Sequence, residues 1–219
     1  MNRVELKRIG KAAFKANYWR CVLVAFLYGL AVAGLSAHFS ASTANQAQNP
    51  EVVTISVATG GVTMLLVLLD IFVFGPLEVG CCSFFRKNLQ LPENPNTLKD
   101  GFSPDYFRSV GGIFLRDLFT FLWALLFIIP GIVKSYSYRL TPYLLADRPE
   151  LSATEAIDES RRLMNGHKWE VFVLDLSFLG WGLLSVVTLG LVGLFYADPY
   201  IVSTNAALYE HLKEQDVQS

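Results

Sequence analysis

The sequence predicts an all-α fold: a polytopic integral membrane helical bundle of about six spans, paired as three hairpins. A basic amphipathic helix precedes the bundle, and a cytoplasmic amphipathic helix joins spans four and five. Three observations carry that prediction. Of 219 residues, 53% are hydrophobic and only 17% are charged, whereas soluble domains carry ~25% charged residues. The apolar residues gather in runs long enough to cross a ~30 Å hydrocarbon core. Fifteen of the eighteen Lys and Arg residues fall in segments that a six-span chain leaves on one side, as cytoplasmic loops require. A net charge of −1 supplies no global basic field, which argues against a nucleic-acid partner.

Residues 1–17 form the first element. Val4, Ile9, Ala12, Ala13 and Ala16 fall on one helical face, opposite Lys7, Lys11 and Lys15, the pattern of a helix lying on an anionic leaflet. Span one, 18–41, is too long for a signal-peptide core and reads as an uncleaved anchor. Its Ala25, Gly29, Ala33, Ala37 and Ala41 form a small-residue stripe. Such a stripe lets another helix approach closely, within the bundle or in a homo-oligomer. The loop 42–51 contains no Lys or Arg, and span two covers 52–80. The connector after it, 86–108, is rich in Pro and Asn and carries Arg86, Lys87, Lys99 and Arg108. Cys21, Cys81 and Cys82 offer neither a disulfide framework nor zinc-type spacing. The adjacent pair reads as small apolar residues near a helix end or, in a eukaryote, a palmitoylation site.

Span three covers 109–129, and the polar stretch beginning at Lys134 decides the topology. If the chain simply left the membrane near Lys134, then Arg139, Arg148, Arg161, Arg162 and Lys168 would also lie outside. A tight turn at Pro130–Gly131, with span four descending over 131–147, keeps 148–168 on the cytoplasmic side. The last apolar run is ~58 Å long as a helix, twice the core thickness. It therefore folds as spans 169–187 and 190–209, turning near Thr188–Gly193 and leaving both termini cytoplasmic. Lys134, near the outer turn, snorkels outward. Arg139 lies ~12 Å deep at helical rise, where a charge costs ~2.5–3.5 kcal/mol, so it needs partners inside the bundle.

Within 148–168, Ser152 and Glu155 form a capping box and Gly166 sits where a C-terminal cap belongs. Ala153, Ala156, Ile157, Ser160, Leu163 and Met164 make one face, with an i,i+4 pair Asp158–Arg162 on the other.

Charged residues at membrane depth are the candidates for chemistry: Arg116, Asp117, Lys134, Arg139, Asp175 and Asp198. Neutralising pairs inside the bundle are the simplest reading; the alternative is a proton, ion or substrate path through the polar layer, as in a small transporter or channel. Each descending span also carries an internal proline, Pro76, Pro142 or Pro199. Proline frees a carbonyl and permits a kink, and broken helices at matching positions mark transporter sites. No H-E-x-x-H, G-x-S-x-G or P-loop occurs, and no Cys/His pair has ligand spacing. The sequence therefore predicts no enzyme and no cofactor, and points to membrane lipids or a protein partner.

The stretch "PGIVKSYSYRLTPYLLADRPELSATEAIDESRRLMNGHKWEVFVLDLSFLGW" and the later "DPY" resemble an uncharacterised bacterial family of multi-pass membrane proteins, domain-of-unknown-function family nine hundred seventy-five. "ELKRIGKAAFKANYWR" resembles the start of that family, while 42–51 and 88–108 match only loosely. The resemblance implies a bacterial plasma-membrane protein with no catalytic residues to carry over. It also draws attention to Ser160, Gly166, His167, Lys168 and Trp169, with the last three anchoring span five at the interface. A more distant similarity, to the membrane region accompanying some glycerophosphodiester phosphodiesterases, implies a lipid-related role.

Overall fold

The computed structural model of the protein describes residues 2–29, 31, 64–102 and 105–218, all of whose regular elements are helical. Predicted spans one and two are thus described only in part, and the loop 42–51, His38 and the stripe beyond Gly29 lie outside the described residues. Helix α1 (Arg3–Ala16) is capped by the Asn2 side chain, which accepts from the Val4 and Glu5 amides. After Asn17, α2 (Tyr18–Gly29) begins. Helix α3 (Met64–Lys87) leads through a 3-10 segment (Pro95–Gly101) into α4 (Tyr106–Leu126). Then come α5 (Ile128–Tyr138), α6 (Thr141–Asp147) and α7 (Ala153–Leu163). Helices α8 (Lys168–Leu176) and α9 (Leu179–Val187) run on as one rod, and α10 (Asp198–Gln218) ends the fold. Among the described residues, three helices are long and apolar enough to cross a membrane: α3, α4 and the α8–α9 rod.

The three prolines explain where the helices depart from α geometry. A π-helical segment, Asp70–Phe74, sits immediately before Gly75–Pro76, and another, Gly193–Ala197, sits immediately before Asp198–Pro199. The Gly75 amide donates to the Asp70 carbonyl and the Asp198 amide to the Gly193 carbonyl, five residues back in each case. Proline has no N–H and its ring crowds the carbonyl four residues earlier, so the preceding turn widens. At Pro142 the helix stops altogether, between Tyr138 and Thr141.

Among the described residues, the chain reverses as a helical hairpin at two places. Phe127 is extended (φ −154°, ψ 136°), so the chain reverses there rather than at the expected Pro130–Gly131. Proline fits the first turn of a helix, where its missing N–H costs nothing, and Pro130 accordingly lies inside the start of α5. A Cβ on Gly131 would sit 2.6 Å from the Ala124 Cα, so glycine is what lets α4 and α5 touch. Phe119 and Tyr138 meet further along with ring centroids 6.5 Å apart, fixing an antiparallel pair. The second reversal falls at Leu189 (φ 52°) and Gly190 (φ 87°), inside the interval 188–193. Trp181 packs against Tyr196 across that hairpin, with ring centroids 4.7 Å apart.

Helix α1 packs differently from the surface helix expected. Its buried face is Leu6, Gly10, Ala13 and Phe14, while Val4, Ala12 and Ala16 are exposed. A Cβ on Gly10 would approach the Thr204 backbone to 2.8 Å, so α1 lies directly against α10. The buried core joins Phe14, Val24, Val79, Phe84, Phe85, Leu144, Leu174 and Leu208. A buried amide ties three elements together: Asn88 donates to the Ala13 carbonyl (3.1 Å), while its Oδ1 accepts from Asn17 (2.8 Å) and from the Glu93 amide (3.0 Å). By contrast the hairpin ends are apolar and bare. Leu125, Leu126, Phe127, Ile128 and Ile129 are all exposed at one, and Val186, Val187 and Leu189 (94%) at the other.

Candidate functional site

The break in the fourth segment is held by a residue from another helix. Ser160 of α7 is fully buried; its hydroxyl donates to the Ser137 carbonyl (2.9 Å) and accepts from the Leu140 amide (3.1 Å). One hydroxyl thus partners two of the backbone groups at the interruption of the helix. Helix α7 is placed to do this by its capping box, in which the Glu155 amide donates to Ser152 (3.3 Å) and the Ser152 amide donates to Glu155 (2.8 Å). Gly166 ends the segment with φ +82°, the left-handed conformation glycine adopts without a Cβ penalty.

Arg139 lies at that break and is turned inward. Its guanidinium grips Asp175 of α8 through two hydrogen bonds (2.5 and 2.9 Å) and donates a third to Asn205 of α10 (2.9 Å). The Tyr136 hydroxyl donates to the same carboxylate (3.0 Å). Planar bidentate pairing of this kind suits arginine and leaves few orphaned donors.

Arg116 forms a separate cluster. It binds Glu78 bidentately (2.6 and 2.9 Å) and Asp117 through Nε (2.8 Å). Glu78 is only 5% exposed, yet it is not among the charged residues picked out from the sequence; a glutamate inside an apolar run was the signal available. Asn205 offered a weaker one. Asp70, Glu78, Arg116 and Asp117 line a cleft of about 440 Å³ between α3 and α4. Asp198 joins neither cluster: it is exposed at the start of α10, with no ion pair to any described residue. The single charged layer expected is therefore two separate clusters, each centred on one arginine.

Lys134 departs most from expectation. It lines one cleft with Ser137, Asp158, Arg161, Arg162, Asn165 and Lys168. Its ammonium also sits 4.6 Å from the Trp123 ring centre. Lys134 thus lies beside α7 and the start of α8, which, with the turn joining them, supply the other lining residues apart from Ser137. Trp169 is 72% exposed and stacks on Phe172 at 5.3 Å, while His167 contacts Glu170 at 3.2 Å.

The polar face of α7 is paired with i,i+3 spacing rather than the expected Asp158–Arg162. Arg161 takes Asp158 (2.7 Å), and Arg162 takes Glu159 (2.7 Å) and Asp216 of α10 (2.6 Å). Both carboxyls are held below their ordinary values, principally by hydrogen bonds from Arg162. At the far end of α7, Arg108 donates to the Leu145 carbonyl (2.7 Å) and the Leu151 carbonyl (3.2 Å), binding the start of α4 to the same region.

The described geometry defines a helical protein with extensive exposed apolar surface and paired, inward-facing arginines, without a cluster of His, Cys, Asp and Glu able to hold a metal among the described residues. Residues 109–216 match the family described as "Protein of unknown function (DUF975)". That match supports an uncharacterised family and takes in both hairpins, α7 and most of α10. No curated protein matches the chain, and no solved structure does.

Proposed function

We propose that the chain is an integral protein of a bacterial plasma membrane that acts without enzymatic chemistry, through membrane lipids or a protein partner. Its six apolar segments enter the bilayer as three hairpins, and both termini are cytoplasmic. The observation that carries this reading is the bare apolar surface at the two hairpin ends, which water would disfavour by ~25 cal/mol per Å². The middle hairpin is the shallow one. The start of α4 is tied by Arg108 to the 145–151 region. Near its other end, Trp123 meets Lys134, which shares a cleft with Lys168. Only seven residues separate Lys134 from the reversal at Phe127, ~10 Å at helical rise against a ~30 Å core, so this hairpin dips into one leaflet.

The satisfied pairs Arg139–Asp175 and Arg116–Glu78 support a structural role for the buried charges. The cleft bearing Asp70 and Asp117 supports the second reading, a small transporter or channel. Extraction of native membranes with alkaline carbonate tests the proposal. The protein is expected in the pellet, and release into the supernatant would contradict membrane integration. For the alternative, Asp117→Asn should alter solute or ion flux in vesicles at normal abundance; unchanged flux would dismiss transport.

A further inference from the structure

The cleft between α5, α7 and the start of α8 has a charge imbalance that the fold does not resolve. It holds about 380 Å³ and is lined by four cations against one carboxylate, Asp158. Arg161 is matched by Asp158 (2.7 Å), and Arg162 by Glu159 and Asp216. Lys134 and Lys168 have no carboxylate partner among the described residues, and both are half-buried. Two ammonium groups brought to one cleft without a counter-charge repel each other and hold a positive potential there. Lys134 is further fixed by the Trp123 ring at 4.6 Å, a contact that neutralises none of its charge. The chain neighbours of both lysines are exposed and apolar: Ile132 and Val133 beside Lys134, Trp169 beside Lys168.

We propose that this cleft binds the phosphodiester of an anionic phospholipid, with Lys134 and Lys168 as its two cationic contacts. A phosphate carries the missing negative charge and accepts from both ammonium groups. Asn165 supplies an amide at the rim. The flanking apolar residues would lie along the acyl chains, which distinguishes a lipid from a soluble phosphate as the occupant. Tryptophan beside the cleft suits the headgroup level, where its amphipathic ring is favoured. The inference rests on the membrane reading proposed for the chain and names the lipid class and the site.

The test uses the purified full chain in a neutral detergent, titrated with phosphatidylglycerol or phosphatidylcholine and followed by intrinsic tryptophan fluorescence and native mass spectrometry. Phosphatidylglycerol is expected to bind in preference to phosphatidylcholine. Lys134→Gln with Lys168→Gln should weaken it about thirtyfold, while Lys134→Arg with Lys168→Arg should retain binding. Lys11→Gln with Lys15→Gln, on the exposed face of α1, should leave binding unchanged. Equal binding of the two lipids, unaltered affinity in the Gln pair, or full competition by millimolar inorganic phosphate would each overturn the proposal. Carbonate extraction of the Gln pair separates the two failures. Unaltered lipid binding by a variant still in the membrane pellet sinks the site alone, whereas a wild-type chain released by carbonate sinks the membrane reading.

Discussion

Removing the Ser160 hydroxyl is the perturbation whose consequence is dictated most directly by the geometry. Ser160→Ala leaves the Ser137 carbonyl and the Leu140 amide without their partner, in a place where Ser160 itself is fully buried. Each buried orphan costs ~1–3 kcal/mol, so the pair sums to ~2–6 kcal/mol, with no compensating contact from the alanine methyl. For a chain of this size, where 1 kcal/mol moves the melting temperature by ~2–4 °C, the expected drop is ~4–24 °C. The assay is tryptophan fluorescence on heating in detergent. Ser152→Ala provides an internal scale, since loss of a solvent-exposed N-cap costs only ~0.5–2 kcal/mol. If Ser160→Ala melted with or above Ser152→Ala, the role of Ser160 as the clasp of the broken helix would be refuted.

Other perturbations test neighbouring parts of the fold. Arg139→Gln strands Asp175 and should cost ~3–5 kcal/mol, seen as reduced protein abundance; Arg139→Met with Asp175→Leu should recover most of it. Abundance that stayed normal in the single variant would argue against structural pairing. Gly10→Ala drives a methyl to 2.8 Å from the Thr204 backbone, which should lower stability by ~1–3 kcal/mol and raise proteolysis at the N-terminus. The carboxyls of Glu159 and Asp216 lie below their ordinary values because Arg162 binds both. The stability they confer is therefore complete above the unfolded value of ~4 and is lost as pH falls through the lower folded values. Wild-type melting temperature should fall across that acid window, and Arg162→Gln should show a flatter profile; superimposable profiles would exclude this linkage.

Local signals in the sequence survived into the structure largely unchanged. The Ser152–Glu155 capping box, the left-handed Gly166, the reversal near Leu189 and the inward, partnered Arg139 are set by residues within a few positions or by a single strong cost. Pro76, Pro142 and Pro199 were legible as disturbances of their helices, although their form (two π turns and one full break) depends on the surrounding packing. Tertiary choices were not legible. Whether α1 lies on a surface or packs on α10 depends on Gly10 meeting Thr204, a contact between chain ends. The partner of Arg116 depended on how α3 and α4 cross, which hydropathy does not encode, although Glu78 inside an apolar run was a visible candidate. The position of Lys134 depends on α5 packing beside α7, where Ser160 bonds the Ser137 carbonyl twenty-three residues away in the chain.

Cysteine accessibility reports the disposition of the three proposed hairpins in the membrane. Single cysteines at Glu159, Ile128 and Leu189, in a chain with Cys21, Cys81 and Cys82 replaced by alanine, would be challenged with an impermeant thiol reagent on intact and on permeabilised cells. Leu189→Cys should label from outside, Glu159→Cys only after permeabilisation, and Ile128→Cys under neither condition, because its hairpin ends within the lipid. Labelling of Glu159→Cys in intact cells would contradict the cytoplasmic placement of α7 and the arrangement built on it.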